Sequence, residues 1–238
     1  MAADSSRRSQ AKRGTGGYLL QTLGQEIANC RACPRLVEWR EEVQETKRAA
    51  YANEEYWGRG VQGFGDPEAR LLFLGLAPAA HGANRTGRIF TGDRSGDWLF
   101  RGLHRAGLAN QPESHHRDDG LELSGAWVTS AVKCAPPGNK PTPDERLKCR
   151  SFLRREIDAL TQLRVVVCLG SFAYEVACVE YTVKPRPKFA HGLVVSTEGG
   201  VQLVCSFHPS QQNTFTGRLT EVMFDSVIRT AVRLAREI

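Results

Sequence analysis

Residues 71–93 read LLFLGLAPAAHGANRTGRIFTGD: an apolar run, Leu71–Leu74, that passes at Gly75 into a segment rich in glycine and arginine and ends at Asp93. A short run with no polar interruption is the pattern of a strand buried on both faces. The segment after it is too long and too polar for an ordinary turn, since most connections take about two to six residues. Other apolar runs end the same way. Ala126–Val132 gives way to Lys133-Cys-Ala-Pro-Pro-Gly-Asn-Lys-Pro-Thr142, and Val201–Phe207 to His208-Pro-Ser-Gln-Gln-Asn-Thr-Phe-Thr-Gly217. Val165–Leu169 is a further strand, and Leu193–Ser196 pairs as a hairpin with 201–207 across Glu198-Gly199-Gly200. Helical stretches near 95–107, 143–160, 171–178 and 216–237 separate or follow these strands. The alternation specifies an α/β fold, a three-layer α/β/α sandwich around a central, mostly parallel sheet. Ligands of such sheets sit beyond the carboxyl ends of the strands. Three elaborate loops converge there in this chain.

The other punctuation agrees. Residues 18–29 form a helix that delivers Cys30 and Cys33, Pro34 ends the turn, and a charged helix runs from Arg35 to about Tyr51. Thr142, Pro143 and Glu145 spell a capping box with proline at the first helical position. Residues 1–17 are rich in Ser, Arg and Gly and read as a disordered basic tail. Residues 18–238 read as one domain.

The 238 residues contain 41% hydrophobic and 24% charged side chains, an ordinary globular balance. No apolar run approaches the ~20 residues that cross a bilayer, and no apolar block of a signal peptide opens the chain. These features, with an odd number of cysteines, seven, point to a reducing cytoplasmic setting and to metal ligation rather than disulfides. The formal charge of +6 fits either a solvated basic surface or an electrostatic footprint for phosphates. Arg7, Arg8, Lys12 and Arg13 in the tail are a candidate phosphate-binding arm.

Four of the cysteines stand as Cys30-x2-Cys33 and Cys134-x14-Cys149. A close pair followed by a looser one suits Zn²⁺ or an iron–sulfur cluster, and spacing alone does not choose between them. Cys168, Cys178 and Cys205 lie in or beside apolar runs and read as core thiols. Neither a G-x-G-x-x-G fingerprint after the first strand nor a Walker sequence is present. The convergent loops therefore describe a polar site of another kind.

The stretches GLAPAAHGANRTGRIFTGD, CAPPGNKPTP and HPSQQNTFTGRL, with the four cysteines, resemble the motifs of type B (family 5) uracil-DNA glycosylases. The resemblance extends from about Tyr18 to the C-terminus. It implies the uracil-DNA glycosylase fold, a [4Fe–4S] cluster on Cys30, Cys33, Cys134 and Cys149, and excision of uracil from DNA, with hypoxanthine and xanthine as further bases. The implied substrate is double-stranded DNA, with single strands left open; a monomer is the default expectation, since one site facing a duplex needs no symmetry mate, and the lack of a long apolar run argues against membrane contact. His208 then donates to the departing base, and Asp93 positions or activates water. Gly75, Ala77, Phe90, Ser130 and His208 hold the base, Phe90 as its stacking platform. His81, Asn84, Arg85, Arg88, Lys140, Gln212, Asn213 and Arg218 face DNA. Departures are instructive: Leu76-Ala77-Pro78-Ala79 lacks the acidic or amide group of other glycosylases of this fold, and Ser130 stands where relatives often have asparagine. A hydroxyl cannot make an amide's bidentate contact, so discrimination among bases is expected to loosen. A non-catalytic iron–sulfur or zinc module that binds nucleic acid or senses redox state is the rival reading, and it leaves the pairing of the first motif with Phe90 and His208 unexplained. A hydrolase of free nucleosides or nucleotides is the other rival, and the basic loops argue against it.

Overall fold

The computed structural model describes residues 2–237, with side chains from Gly16 onward. The chain enters through helices α1 (Ala2–Asn29) and α2 (Pro34–Thr46), then the short edge strand β1 (Phe64–Gly65) and β2 (Leu71–Gly75). The single turn α3 (Ala83–Thr86) lies inside the long loop after β2, and α4 (Arg94–Arg105) follows it. Next come β3 (Ala126–Ser130), α5 (Pro143–Ala159), β4 (Val165–Leu169) and α6 (Ser171–Glu180). The hairpin strands β5 (Val194–Ser196) and β6 (Gln202–Ser206), the short α7 (Gln211–Phe215) and α8 (Glu221–Glu237) complete the described chain.

The sheet has the order β1-β3-β2-β4-β6-β5. The four central strands are parallel, while β1 and β5 join the two edges antiparallel. Side chains alternate between faces. Leu71, Phe73, Val128, Val165, Val167 and Val204 pack toward α4 and α8. Leu72, Leu74, Trp127, Val166, Cys168 and Leu203 pack toward α1, α5 and α6. Both faces being covered is why these strands read as unbroken apolar runs. The register sets Gly75 against Ser130 and Leu169 against Ser206, so the strands deliver their loops to one edge.

The capping box exists as read: Thr142 Oγ1 accepts from the Glu145 amide, and the Glu145 carboxylate accepts from the Thr142 amide. Three differences stand out. Residues 211–215, read as loop, form the one-turn helix α7, and the two-residue β1 was not expected. The helix expected from residue 18 is assigned from Ala2, through the stretch read as a disordered tail; the Ala, Arg, Gln and Lys there are good helix formers despite three glycines. The side chains of Arg7, Arg8, Lys12 and Arg13, the candidate phosphate-binding arm, lie outside the described residues.

Candidate active site

Phe90 is held in a backbone conformation that phenylalanine rarely adopts, with φ +52°, in the left-handed region. Such strain persists only where surroundings over-determine it. Two glycines do so here. A Cβ on Gly75 would stand 2.7 Å from the Phe90 ring, and one on Gly96 1.8 Å from the Phe90 carbonyl oxygen. The end of β2 and the first turn of α4 thus clamp the ring between them. It is 7% exposed, and its centroid lies 6.1 Å from that of His208 at an interplanar angle of 31°.

Asp93 is the N-cap of α4: its extended backbone lets Oδ1 accept the Gly96 N–H at 3.0 Å. Desolvation raises its pKa above the ordinary 3.8, against the opposing pull of the Gly96 and Ser95 amides. Gly82 makes room for the carboxylate, since a Cβ there would meet Asp93 Oδ2 at 2.2 Å. The cap and a water-positioning role are compatible, because one oxygen suffices for the cap.

His208 leaves β6 on the opposite side. Its carbonyl accepts Asn213 Nδ2 at 2.9 Å, and Gly170, at the end of β4, leaves space for its Cβ. Burial pushes its pKa down to about 4, so the imidazole is neutral at pH 7 and carries one N–H. Among the described residues its ring has no hydrogen-bond partner and is free to meet a substrate. A residue that the sequence reading passed over fixes the preceding position. His191 Nδ1 accepts the Phe207 N–H at 3.1 Å, and the two rings stack with centroids 5.0 Å apart. Burial lowers the pKa of His191, which favours the neutral acceptor. Lying 16 residues upstream in an unremarkable segment, His191 offers no motif signal.

Several residues read as DNA contacts are internal ties. Asn84 is 0% exposed and donates Nδ2 to the Arg40 carbonyl at 3.2 Å. Arg85 is buried, pairs with Glu54, donates to the carbonyls of His81 and Gly92, and lies over the Tyr51 ring. Arg88 is buried as well and spends its guanidinium on Thr91, Ser114, Arg117 and Asp119. Asn213 is committed to the His208 backbone. These side chains shape the first loop and the His208 turn and are not available to phosphates. Within the base-binding set, Ser130 is buried with its hydroxyl donating to the Val132 carbonyl at 2.9 Å, and Ala77 packs against the cysteine region. His81 is half-buried, with Nδ1 3.1 Å from the Tyr56 hydroxyl.

The rim keeps Lys140, Gln212 and Arg218 exposed, with Arg218 lying over the Phe207 ring at 4.7 Å. Two further residues join them. Phe215, at the end of α7, is 69% exposed, and the Arg94 guanidinium lies 5.1 Å from its ring centroid. That contact brings the cap of α4, where Asp93 sits, beside the loop of His208. A basic, polar edge with one bare aromatic results.

Cys30, Cys33, Cys134 and Cys149 line one small cavity, walled by Ile27, Leu36, Val37, Val132 and Phe152. Cys168, Cys178 and Cys205 are instead buried in the main core. Among the described residues no three His, Cys, Asp or Glu side chains approach closely enough for a single metal ion. Burial raises the pKa of Cys33, Cys134 and Cys149, the last to about 12. Beside this cavity runs a buried ion pair the sequence reading did not single out. Lys133 Nζ meets Glu156 Oε2 at 2.5 Å and Thr129 Oγ1 at 2.6 Å, while the Lys133 amide donates to Cys149 Sγ at 3.2 Å.

A family model described as the uracil DNA glycosylase superfamily matches residues 62–231. The chain is 55% identical over 212 residues to a protein of Mycobacterium bovis named a type-5 uracil-DNA glycosylase, covering 88% of this chain and 79% of that one. It is 50% identical over 223 residues to a protein of Mycobacterium leprae with the same name, covering 92% and 97%. A third of that name, from Thermus thermophilus, is 52% identical over 212 residues, covering 89% and 96%.

Proposed function

The chain belongs to the uracil DNA glycosylase superfamily, and from that membership and the geometry of its site we propose how it excises uracil from DNA and which further bases it accepts. It is a DNA glycosylase, a hydrolase of the N-glycosidic bond of uracil in DNA repair. The observation that carries the mechanism is the facing of a strained, clamped Phe90 and a neutral, unpartnered His208 at the carboxyl edge of the sheet.

The target nucleotide must leave the stack to reach this edge, at a cost of a few kcal/mol that is smallest at a mismatch. The exposed Phe215 fills the gap it leaves, and Arg94, Lys140 and Arg218 hold the flanking phosphates. The extruded base stacks on Phe90 and meets His208 edge-on. As the bond between C1′ and the base breaks, its electron pair stays on the base, and the sugar becomes an oxocarbenium ion. The neutral imidazole donates its N–H to the O2 on which the negative charge grows, the kind of donor worth about 3 kcal/mol of transition-state stabilisation. Asp93 orients the water that adds its oxygen to C1′ and accepts the proton this water loses. No strong nucleophile is required, in keeping with the apolar Leu76-Ala77-Pro78-Ala79 stretch.

Breadth follows from the pocket's chemistry. With the Ser130 hydrogen committed to Val132, the base edge at β3 meets no amide able to demand a uracil-specific pair of bonds. Hypoxanthine and xanthine are therefore accepted besides uracil. Release of free base from otherwise identical duplexes carrying uracil, hypoxanthine or xanthine tests this. Cleavage of uracil alone would remove the proposed breadth and leave the uracil activity standing.

The four cysteines fit a [4Fe–4S] cluster, since all four line one cavity and thiolates are the ligands such a cluster takes. A buried arginine, Arg40, also aims Nη1 at Cys134 Sγ at 2.9 Å, a donor that suits an anionic thiolate centre. Cys30, Cys33, Cys134 and Cys149 would hold the cluster, which would staple the N-terminal turn to the segment between β3 and α5. The chemistry it supplies is this cross-link, and no bond of the substrate is broken there.

A further inference from the structure

We propose that Arg40 is the positioning residue through which a loaded cysteine centre holds the loop carrying Phe90 and Asp93. The inference rests on the reading that the four cysteines bind an iron–sulfur cluster. Arg40 projects from α2 and is 2% exposed. Nη1 donates to Cys134 Sγ and Nη2 to the Cys30 carbonyl, each at 2.9 Å, while Nε has no partner. One guanidinium thus bridges two segments 94 and 10 residues away in sequence. A buried cation is retained where a counter-charge is held against it. Among the described residues no carboxylate lies within salt-bridge distance of Arg40, Glu41 feeling its charge only at longer range, and the atoms its guanidinium touches are the Cys134 sulfur and the Cys30 carbonyl oxygen.

The same residue reaches the active-site loop. Its carbonyl accepts Asn84 Nδ2 at 3.2 Å, and Asn84, in α3, accepts the Gly58 N–H on its own carbonyl at 3.0 Å. One turn of helix is not stable alone, so the place of α3 depends on such ties. From the next residue the path continues, for Arg85 donates to the carbonyls of His81 and Gly92 and so braces the loop as far as Asp93. A loaded centre holds Cys30 and Cys134 where Arg40 meets them. Without it α2 loosens from both, and the carbonyl that Asn84 uses moves with it. α3 is then the two-state element that both sites bias.

The test is a two-by-two comparison in the full chain, wild type against Arg40→Met, each loaded and stripped of iron by a chelator. Iron and sulfide content are assayed first, and then hydrogen exchange of the Gly58 and Gly87 amides, which donate to Asn84 and Ala83. Stripping the wild type should speed exchange on the order of tenfold, the loss of about one net hydrogen bond. In Arg40→Met the loaded protein should already exchange fast, and stripping should add little. A merely structural arginine would instead shift loaded and stripped forms equally, and that additivity would overturn the proposal. If Arg40→Met does not fold, Asn84→Ala cuts the same path on the loop side: full iron content with fast Gly87 exchange supports the proposal, and wild-type exchange overturns it. An iron-free wild type would overturn the cluster reading and the inference with it, a result that the iron assay separates from failure of the inference alone.

Discussion

Replacing Asp93 by Asn and by Ala separates its two duties. Asn is about as good an N-cap as Asp, so Asp93→Asn keeps the bond to the Gly96 amide, while Asp93→Ala loses it. The lost cap costs about 1 kcal/mol, or roughly 2–4 °C of melting temperature for a chain of this size. The ionisation adds a signed term. Desolvation raises the Asp93 pKa above 3.8 despite the cap, so the folded state prefers the protonated acid. That contribution is fully present below pH 3.8 and is lost as pH rises through the raised folded value. At neutral pH the buried charge is therefore a cost, and Asp93→Asn should melt no lower than the wild type. Catalysis should respond differently, because neither substitute can accept a proton from water. Single-turnover uracil release should fall by about 10²-fold in both variants. Equal rates with unequal melting temperatures is the expected signature. An Asp93→Asn enzyme within about threefold of wild type, beside a slow and unstable Asp93→Ala, would show that the residue only caps α4.

Other outcomes follow from the same geometry. Burial alone would raise the Asp119 pKa, but the Arg88 guanidinium and the Leu121 and His115 amides hold it well below 3.8. Its stabilisation is present above pH 3.8 and lost as pH falls through the folded value, so Asp119→Asn should flatten the acid limb of thermal stability while costing about 3–5 kcal/mol at pH 7. Parallel acid limbs would mean the pair contributes nothing. His191→Phe preserves a ring beside Phe207 but leaves its amide unpaired; kcat should drop about tenfold with KM little changed, and an unaltered kcat would remove His191 from the positioning of His208. Phe215→Ala should leave stability within about 0.5 kcal/mol. It should slow excision from U·A pairs more than from U·G, where extrusion is easier, and equal slowing would argue against a gap-filling role.

The sheet was legible because its parallel strands are covered on both faces, which writes Leu71–Leu74 and Val165–Leu169 as apolar runs that no other element resembles. α5 announced itself through Thr142, Pro143 and Glu145. α7 did not, since Gln211–Phe215 is one polar turn without a periodic face. At the site, Phe90, Asp93 and His208 were singled out by the resemblance of the motifs that hold them, and the fold sets Phe90 beside His208 and makes Asp93 the cap of α4. The arginines were misread. Arg85 and Arg88 sit in a polar loop and look like phosphate ligands, but each meets a carboxylate 31 residues away, Glu54 before and Asp119 after. One sequence does not disclose such pairings, so a solvated arginine and a buried tie look the same in it. His191 and Arg40 were hidden for the same reason, as their partners are backbone and sulfur atoms brought in by the fold.

The most direct measurement is single-turnover release of uracil from a duplex by wild type and His208→Ala, with binding to the same duplex measured in parallel. A loss of about 10²- to 10³-fold in rate, with DNA affinity nearly unchanged, is the result expected of a donor that acts only as charge gathers on the base. Retention of the rate within about threefold would contradict the assignment, because His208 is the donor the account sets against the base beside Phe90.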